Sequence, residues 1–159
     1  MSGAPNLCPS SFPSKYPIGY IEIRVFSHAT EDQAKVETAL RNILPETLAE
    51  EVTFTKTNCI GHHGNPIVLV EAKLADRATL LSVLEKIGSA LGILDKEELS
   101  TEVNQHIEKH NLYLRLDKQS AFLGKVKFSS TDPIHFKVHF KNKNPQQIAD
   151  LCRQAGLLP

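Results

Sequence analysis

The chain is expected to fold as a single α+β domain, an open sheet of mixed or antiparallel strands layered by helices. Three observations predict this. Segments with strand-like alternation and segments with helix-like spacing follow one another in mixed order, with short hairpin connections between some strands. The strand segments alternate apolar with polar residues, so each buries only one side. The 159 residues, 41% hydrophobic and 23% charged, suffice for a proper core and exclude wholesale disorder.

Residues 1–17 carry Pro5, Pro9, Pro13 and Pro17 among several serines without any period, and read as a flexible tail ahead of a domain spanning 18–159. Tyr20 to Phe26 alternates, with Ile21, Ile23 and Val25 on one face and Tyr20, Glu22, Arg24 and Phe26 on the other, as in a half-buried strand. Thr30 and Gln33 have the spacing of a capping box, and Glu31 and Asp32 suit the positive end of a helix. Val36, Ala39, Leu40, Ile43 and Leu44 recur at helical spacing up to Pro45, and a short helical turn is expected over 46–51.

Val52 to Ile60 and Pro66 to Leu74 read as two strands of a hairpin. Gly61-His62-His63-Gly64-Asn65-Pro66 joins them, with glycines free to adopt left-handed backbone. Arg77 to Leu91 is a helix stopped near Gly88 to Gly92. Asp95 to His110 is a second helix, whose narrow stripe of Leu99, Val103 and Ile107 places it on the surface. Leu112 to Leu116 turns its leucines inward and Tyr113 and Arg115 outward. Gly124 opens a short strand with Lys125 and Lys127 outward. After the turn at Thr131-Asp132-Pro133 comes the clearest strand. Ile134, Phe136, Val138 and Phe140 share one face; His135, Lys137, His139 and Lys141 share the other. Asn144-Pro145 starts a last helix that Gly156 closes.

No apolar run is long enough to span a bilayer, and the first residues lack the basic start and apolar stretch of a secretory signal, so a cytoplasmic protein is expected. Cys8, Cys59 and Cys152 are widely spaced and odd in number, against a disulfide framework; Cys59 and Cys152 are expected as buried apolar residues. The chain is formally neutral, but its charges are segregated. From His110 to Lys143, seven cations (Arg115, Lys118, Lys125, Lys127, Lys137, Lys141, Lys143) face only Asp117 and Asp132.

That surplus on alternating positions suits a nucleic acid. Lys137, Lys141, His135 and His139 project to one side of a strand, joined by Lys125, Lys127, Arg115 and Tyr113 if neighbouring strands pair with it. Cations hold the phosphate backbone, and Tyr113 offers a base a stacking surface. A solvated amphipathic face has the same composition. In the Gly61–Pro66 loop, His62 and His63 can donate to phosphate or simply stand in solvent. Cys59-x-x-His62 has the spacing of half a zinc site, but no second Cys/His pair closes it, so no metal is expected. Arg115 to Gln119, at a strand end, suits recognition through Arg115 and Lys118; equally, Asp117 caps the turn and pairs with Lys118 or Arg115. No phosphate-binding lysine loop, nucleophile elbow or HExxH motif is present, and His28 beside Glu31 and Asp32 is accounted for by capping. A non-catalytic protein without cofactors is expected, a hydrolase being the minor alternative.

Three blocks in order, Phe26-Ser27-His28-Ala29-Thr30-Glu31-Asp32, Gly61-His62-His63-Gly64-Asn65-Pro66-Ile67 and Tyr113-Leu114-Arg115-Leu116-Asp117-Lys118-Gln119, resemble an archaeal family of RNA-binding proteins and predicted exosome subunits. The resemblance covers roughly residues 18–155. It implies a fold similar to the ribosomal protein that binds 5S RNA, RNA as partner, and a role accessory to the exosome or docking on exosome or ribosomal proteins. It supplies no catalytic residues.

Overall fold

The computed structural model describes residues 18–61 and 63–159. In chain order it contains β1 (Ile18–His28), α1 (Gln33–Asn42), α2 (Glu46–Glu51), β2 (Thr55–Ile60), β3 (Pro66–Leu74), α3 (Arg77–Ala90), α4 (Ile93–His106), β4 (Ile107–Glu108), β5 (Asn111–Leu116), α5 (Lys118–Phe122), β6 (Ile134–Phe140) and α6 (Pro145–Ala155). The strands form one open sheet in the order β2-β3-β1-β6-β5-β4, with every pairing antiparallel. The expected α+β architecture is therefore present, in its antiparallel form.

The alternation in β1 and β6 decides which side of the sheet is covered. Ile23 lies opposite Phe136 and Ile21 opposite Val138, so both apolar sets point the same way, and all four are fully buried. β5 adds Leu112, Leu114 and Leu116 to that side, and β3 adds Val70, Ala72 and Leu74. Onto this layer pack Val36, Ala39 and Leu40 of α1, Leu80, Val83, Leu84 and Ile87 of α3, and Ile148, Leu151, Cys152 and Ala155 of α6. The opposite residues of the same strands stay partly or wholly exposed. Burying these apolar side chains is the main stabilising term, at about 1.5–3 kcal/mol for each large one.

Helix starts are fixed by short polar side chains. Asp32, Asp76, Asp117 and Asn144 each accept a backbone N–H of their helix, and Asn144 with Gln147 completes a reciprocal box. The cap of α1 is thus Asp32 rather than Thr30: Asp32 Oδ1 accepts from Ala34 N–H and its carbonyl takes the N–H groups of Lys35 and Val36, while Thr30 lies in the preceding turn. The β2–β3 hairpin forms as expected: Gly61 donates to Asn65 O at 2.7 Å, and Gly64 takes φ +80°.

Four expectations are corrected. The helix read from Asp95 to His110 ends at His106, since Ile107 and Glu108 pair with Leu112 and Asn111 as a short edge strand. The strand read from Gly124 is reduced to isolated bridges of Val126 to Leu91 and Phe128 to Leu116. Between Lys118 and Phe122 the backbone forms a short helix under the Asp117 cap. Cys59 is half-exposed rather than buried, because its position in β2 shares the open side with Ile67; Cys152 is buried, which pushes its thiol pKa up to about 12. Residues 1–17 and His62 lie outside the described residues.

Candidate nucleic-acid interface

The open side of the sheet is built in rows by strand register. One row runs Glu71, Arg24, His135, Arg115 across β3, β1, β6 and β5; the next runs Lys73, Glu22, Lys137, Tyr113; a third runs Tyr20, His139, Asn111. Rows are about 6.6 Å apart and strands about 4.8 Å, so these side chains form a contiguous field. A cleft of about 480 Å³ sinks into it between Arg24, His135, Lys137, Tyr113 and Arg115, with Gln105 and Glu108 contributing from the edge.

The field is less basic than the sequence surplus suggests. Register brings Arg24, Lys73, Arg115 and Lys137 together, but β1, β3 and β4 bring Glu22, Glu71 and Glu108 to the same side. Lys125 and Lys127 are exposed, yet they lie beyond the outer edge of β5, where Asp117 N–H donates to Lys127 O, and β5 separates them from β6. Lys141 is exposed in the turn after β6. His63 is exposed in the β2–β3 turn, away from the cleft.

Individual side chains differ in how far they are already engaged. Tyr20 stacks on His139 at 4.7 Å, and Lys73 lies over its ring at 4.4 Å. His139 is held from its other side by Asn111, its Nδ1 2.8 Å from the side-chain oxygen. Its pKa is lowered, first by burial and then by His110, Lys137, Lys141 and Lys73. For Lys137, burial acts downward, but the Tyr20 hydroxyl, Tyr113 and Glu22 prevail and hold it above the ordinary lysine value. Tyr113 is 36% exposed, and among the described residues no ring or cation covers its face. Phe26, equally exposed, stands beyond Arg24 on β1.

Lys118 belongs to a different structure. Its ammonium donates to Phe26 O at 2.7 Å, to Glu31 at 3.0 and 3.2 Å and to Asp132 at 2.8 Å, and only 11% of its side chain is exposed. His28 Nε2 lies 3.0 Å from Asp132. His28, Glu31 and Asp132 have the chemistry and proximity of metal ligands, but the ammonium already provides the positive charge between the two carboxylates. For Asp132, burial acts upward, yet hydrogen bonds from Lys118 and His28 outweigh it and hold the carboxyl below the usual range. His28 also pairs with Ile67 in the β1–β3 ladder. Residues of all three sequence blocks thus touch at one end of the sheet, where Lys118 holds Phe26 and Glu31 and His28 lies opposite Ile67. Arg24, Glu22 and Phe26 were absent from the sequence-derived site; their alternation with Ile23 and Val25 was the available signal.

A family model described as RNA binding matches residues 20–140, which include the three rows on β3, β1, β6 and β5. The chain belongs to this RNA-binding family. One relative, the RNA-binding protein PAB1135 of Pyrococcus abyssi, is 36% identical over 124 residues, covering 76% of this chain and 80% of that protein. An uncharacterized protein of Methanocaldococcus jannaschii, MJ0213, is 28% identical, covering 80% and 89%. Among solved structures, the DUF54 protein Mth689 of Methanothermobacter thermautotrophicus superposes with a TM-score of 0.72 at 28% identity, covering 87% of this chain and 98% of that one. SSO0741 of Sulfolobus solfataricus gives 0.69 at 25%, covering 85% and 98%. These structures share the fold over most of this chain. No helix among the described residues is long and apolar enough to cross a membrane.

Proposed function

We propose that the protein binds RNA on the open face of its sheet, by surface contact rather than bond-making chemistry, as a cytoplasmic accessory to RNA processing or degradation. The observation that carries this reading is the uncovered face itself. Among the described residues it presents an aromatic with no ring or cation over its face, Tyr113, beside Arg115, Arg24 and Lys137 around a cleft, while the buried stripes of α1, α3 and α6 pack on the other side. Membership of an RNA-binding family supports the reading. Lys125, Lys127 and Lys141 then extend the contact at its rim, and the loop of His62 and His63 contributes only peripherally. Because acids are interleaved with the cations, few phosphates are neutralised. With two or three, log affinity should fall against log salt with a slope of about −1.4 to −2. Tyr113→Ala should weaken binding by about 1–3 kcal/mol with little change in slope, whereas Arg115→Gln with Lys137→Gln should flatten the slope. Anisotropy titrations over a salt series read both quantities. Association with an exosome is read by capture from lysate with and without nuclease. Capture that survives nuclease, together with unchanged RNA affinity in the variants, would replace this reading with protein docking.

A further inference from the structure

The row Arg24, His135, Arg115 carries an unbalanced charge. Three adjacent strands, β1, β6 and β5, place two guanidiniums on either side of an imidazole, the outer two separated by two strand spacings, roughly 10 Å. Like charges side by side across strands are destabilising. Elsewhere the protein matches such groups: Lys137 faces Glu22, Lys56 binds Glu37, and Lys118 binds Glu31 and Asp132. Glu71 lies in register with Arg24, yet among the described residues no ion pair joins Arg24 or Arg115 to a carboxylate. Both arginines and His135 line the same cleft.

We propose that Arg24, His135 and Arg115 together hold one backbone phosphate of a single-stranded RNA, whose neighbouring base lies on Tyr113. This rests on the open-face reading above and names its ligand. Paired guanidiniums suit the planar, multidentate recognition of phosphate oxygens better than ammonium groups do. Tyr113 is two residues from Arg115 on the same strand and the same side, so a base attached next to the held phosphate reaches its ring. A base can lie flat on a sheet-borne ring only when it is out of a duplex stack, which selects unpaired RNA. The cleft volume is in the range of small-ligand sites and accommodates one nucleotide.

Protonation of His135 follows from the same geometry. In the free protein burial lowers its pKa, Arg24 on β1 and Arg115 on β5 lower it further, and Asp132 in the preceding turn opposes them. Lys137 along β6, Glu22 on β1 and Glu108 at the cleft edge complete the charged surroundings. A phosphate between the arginines reverses the local field and favours the imidazolium. The bound form then has the higher pKa, so affinity rises as pH falls through the window between the bound and free values.

The test uses the full chain with a labelled single-stranded oligoribonucleotide and the same sequence as a duplex. Wild type should prefer the single strand and bind more tightly at pH 6 than at pH 7.5. Arg24→Gln with Arg115→Gln should weaken single-strand binding about tenfold or more and reduce the salt slope by about 0.7, one phosphate. His135→Gln should abolish the pH dependence, and the ring titration of His135 by NMR should move upward on saturation with RNA. Circular dichroism should show the fold intact in each variant, Arg24 and Arg115 being exposed and His135 half-buried. A double-arginine variant that binds like wild type overturns the phosphate site while leaving RNA on the open face. Preference for the duplex overturns the stacked base. Failure of wild type to bind either RNA overturns the open-face reading itself.

Discussion

Lys118 stands 92 positions from Phe26 and 87 from Glu31 in the chain, yet its ammonium closes on both. It is the residue through which β1, the turn before β6 and the start of α5 are tied at one end of the sheet. Replacing it by Met keeps most of the stem and leaves Glu31 and Asp132 without their cation. Charge-assisted bonds to a half-buried cation are worth about 1.5–3 kcal/mol each, but these carboxylates retain solvent contact, so a total loss of about 1–3 kcal/mol is expected. The pH dependence carries a definite sign. Because the Asp132 carboxyl lies below its ordinary value of 3.8 in the folded protein, its contribution is complete above that value and is lost as pH falls through the depressed one. Urea midpoints of wild type and Lys118→Met should therefore differ at neutral pH and converge in strong acid. A gap that persists unchanged in acid would mean that the lysine acts through its stem alone. Local spacing offered only Asp117 or a bound ligand as partners for Lys118, because pairing across some 90 residues leaves no trace in periodicity.

Among the elements, α3 and α6 meet at Gly88 more closely than any side chain allows. A Cβ there would lie 2.8 Å from Ala155 O and 2.9 Å from the carbonyl carbon and oxygen of Gly156. Gly88→Ala is favoured by about 1 kcal/mol as a helix residue, but the clash is with backbone, which cannot rotate away. A net loss of about 1–3 kcal/mol is expected from overpacking, measured by denaturant unfolding; a gain would show that α6 can shift freely. In sequence Gly88 looks like a helix stop, and only the partner helix reveals it as a contact. Strands with clean alternation were legible: β1, β5 and β6 lie where the period of two puts them, and β3 where the hairpin reading put it. Elements lacking a strong period were not. The end of α4 depends on pairing of Ile107 and Glu108 with β5, and residues 124–128 have strand-like alternation but too few partners to form more than bridges. The candidate site was legible in half. Tyr113, Arg115, His135 and Lys137 follow from alternation, whereas Arg24 joins them only once strand order is known, and Lys118 is drawn away by its bonds to Phe26, Glu31 and Asp132.

At the scale of the molecule, strand order runs against chain order. β1, the first strand, sits between β3 and β6, and β6 is the last; Ile18 lies opposite Phe140. Pairings this distant in sequence are formed late and slowly. A chain ending at Asp132 lacks Phe136, Phe140 and the whole of α6, and leaves Ile21, Ile23 and Val25 beside an empty strand position. It should show no cooperative urea transition by circular dichroism; a sharp one would mean that the remaining strands hold a core alone. The same topology has a bearing on how the protein is made. As the chain leaves the ribosome, β1 can pair with β3 on one side, while its other edge remains a bare template for any passing strand until residue 140 has emerged. Synthesis thus passes through a long interval in which β1 is exposed to misassembly, and Arg24 waits through that interval without His135 or Arg115. The row of Arg24, His135 and Arg115 proposed to hold a phosphate is assembled only once β6 has emerged, so a nascent chain that stops short of it cannot present that row.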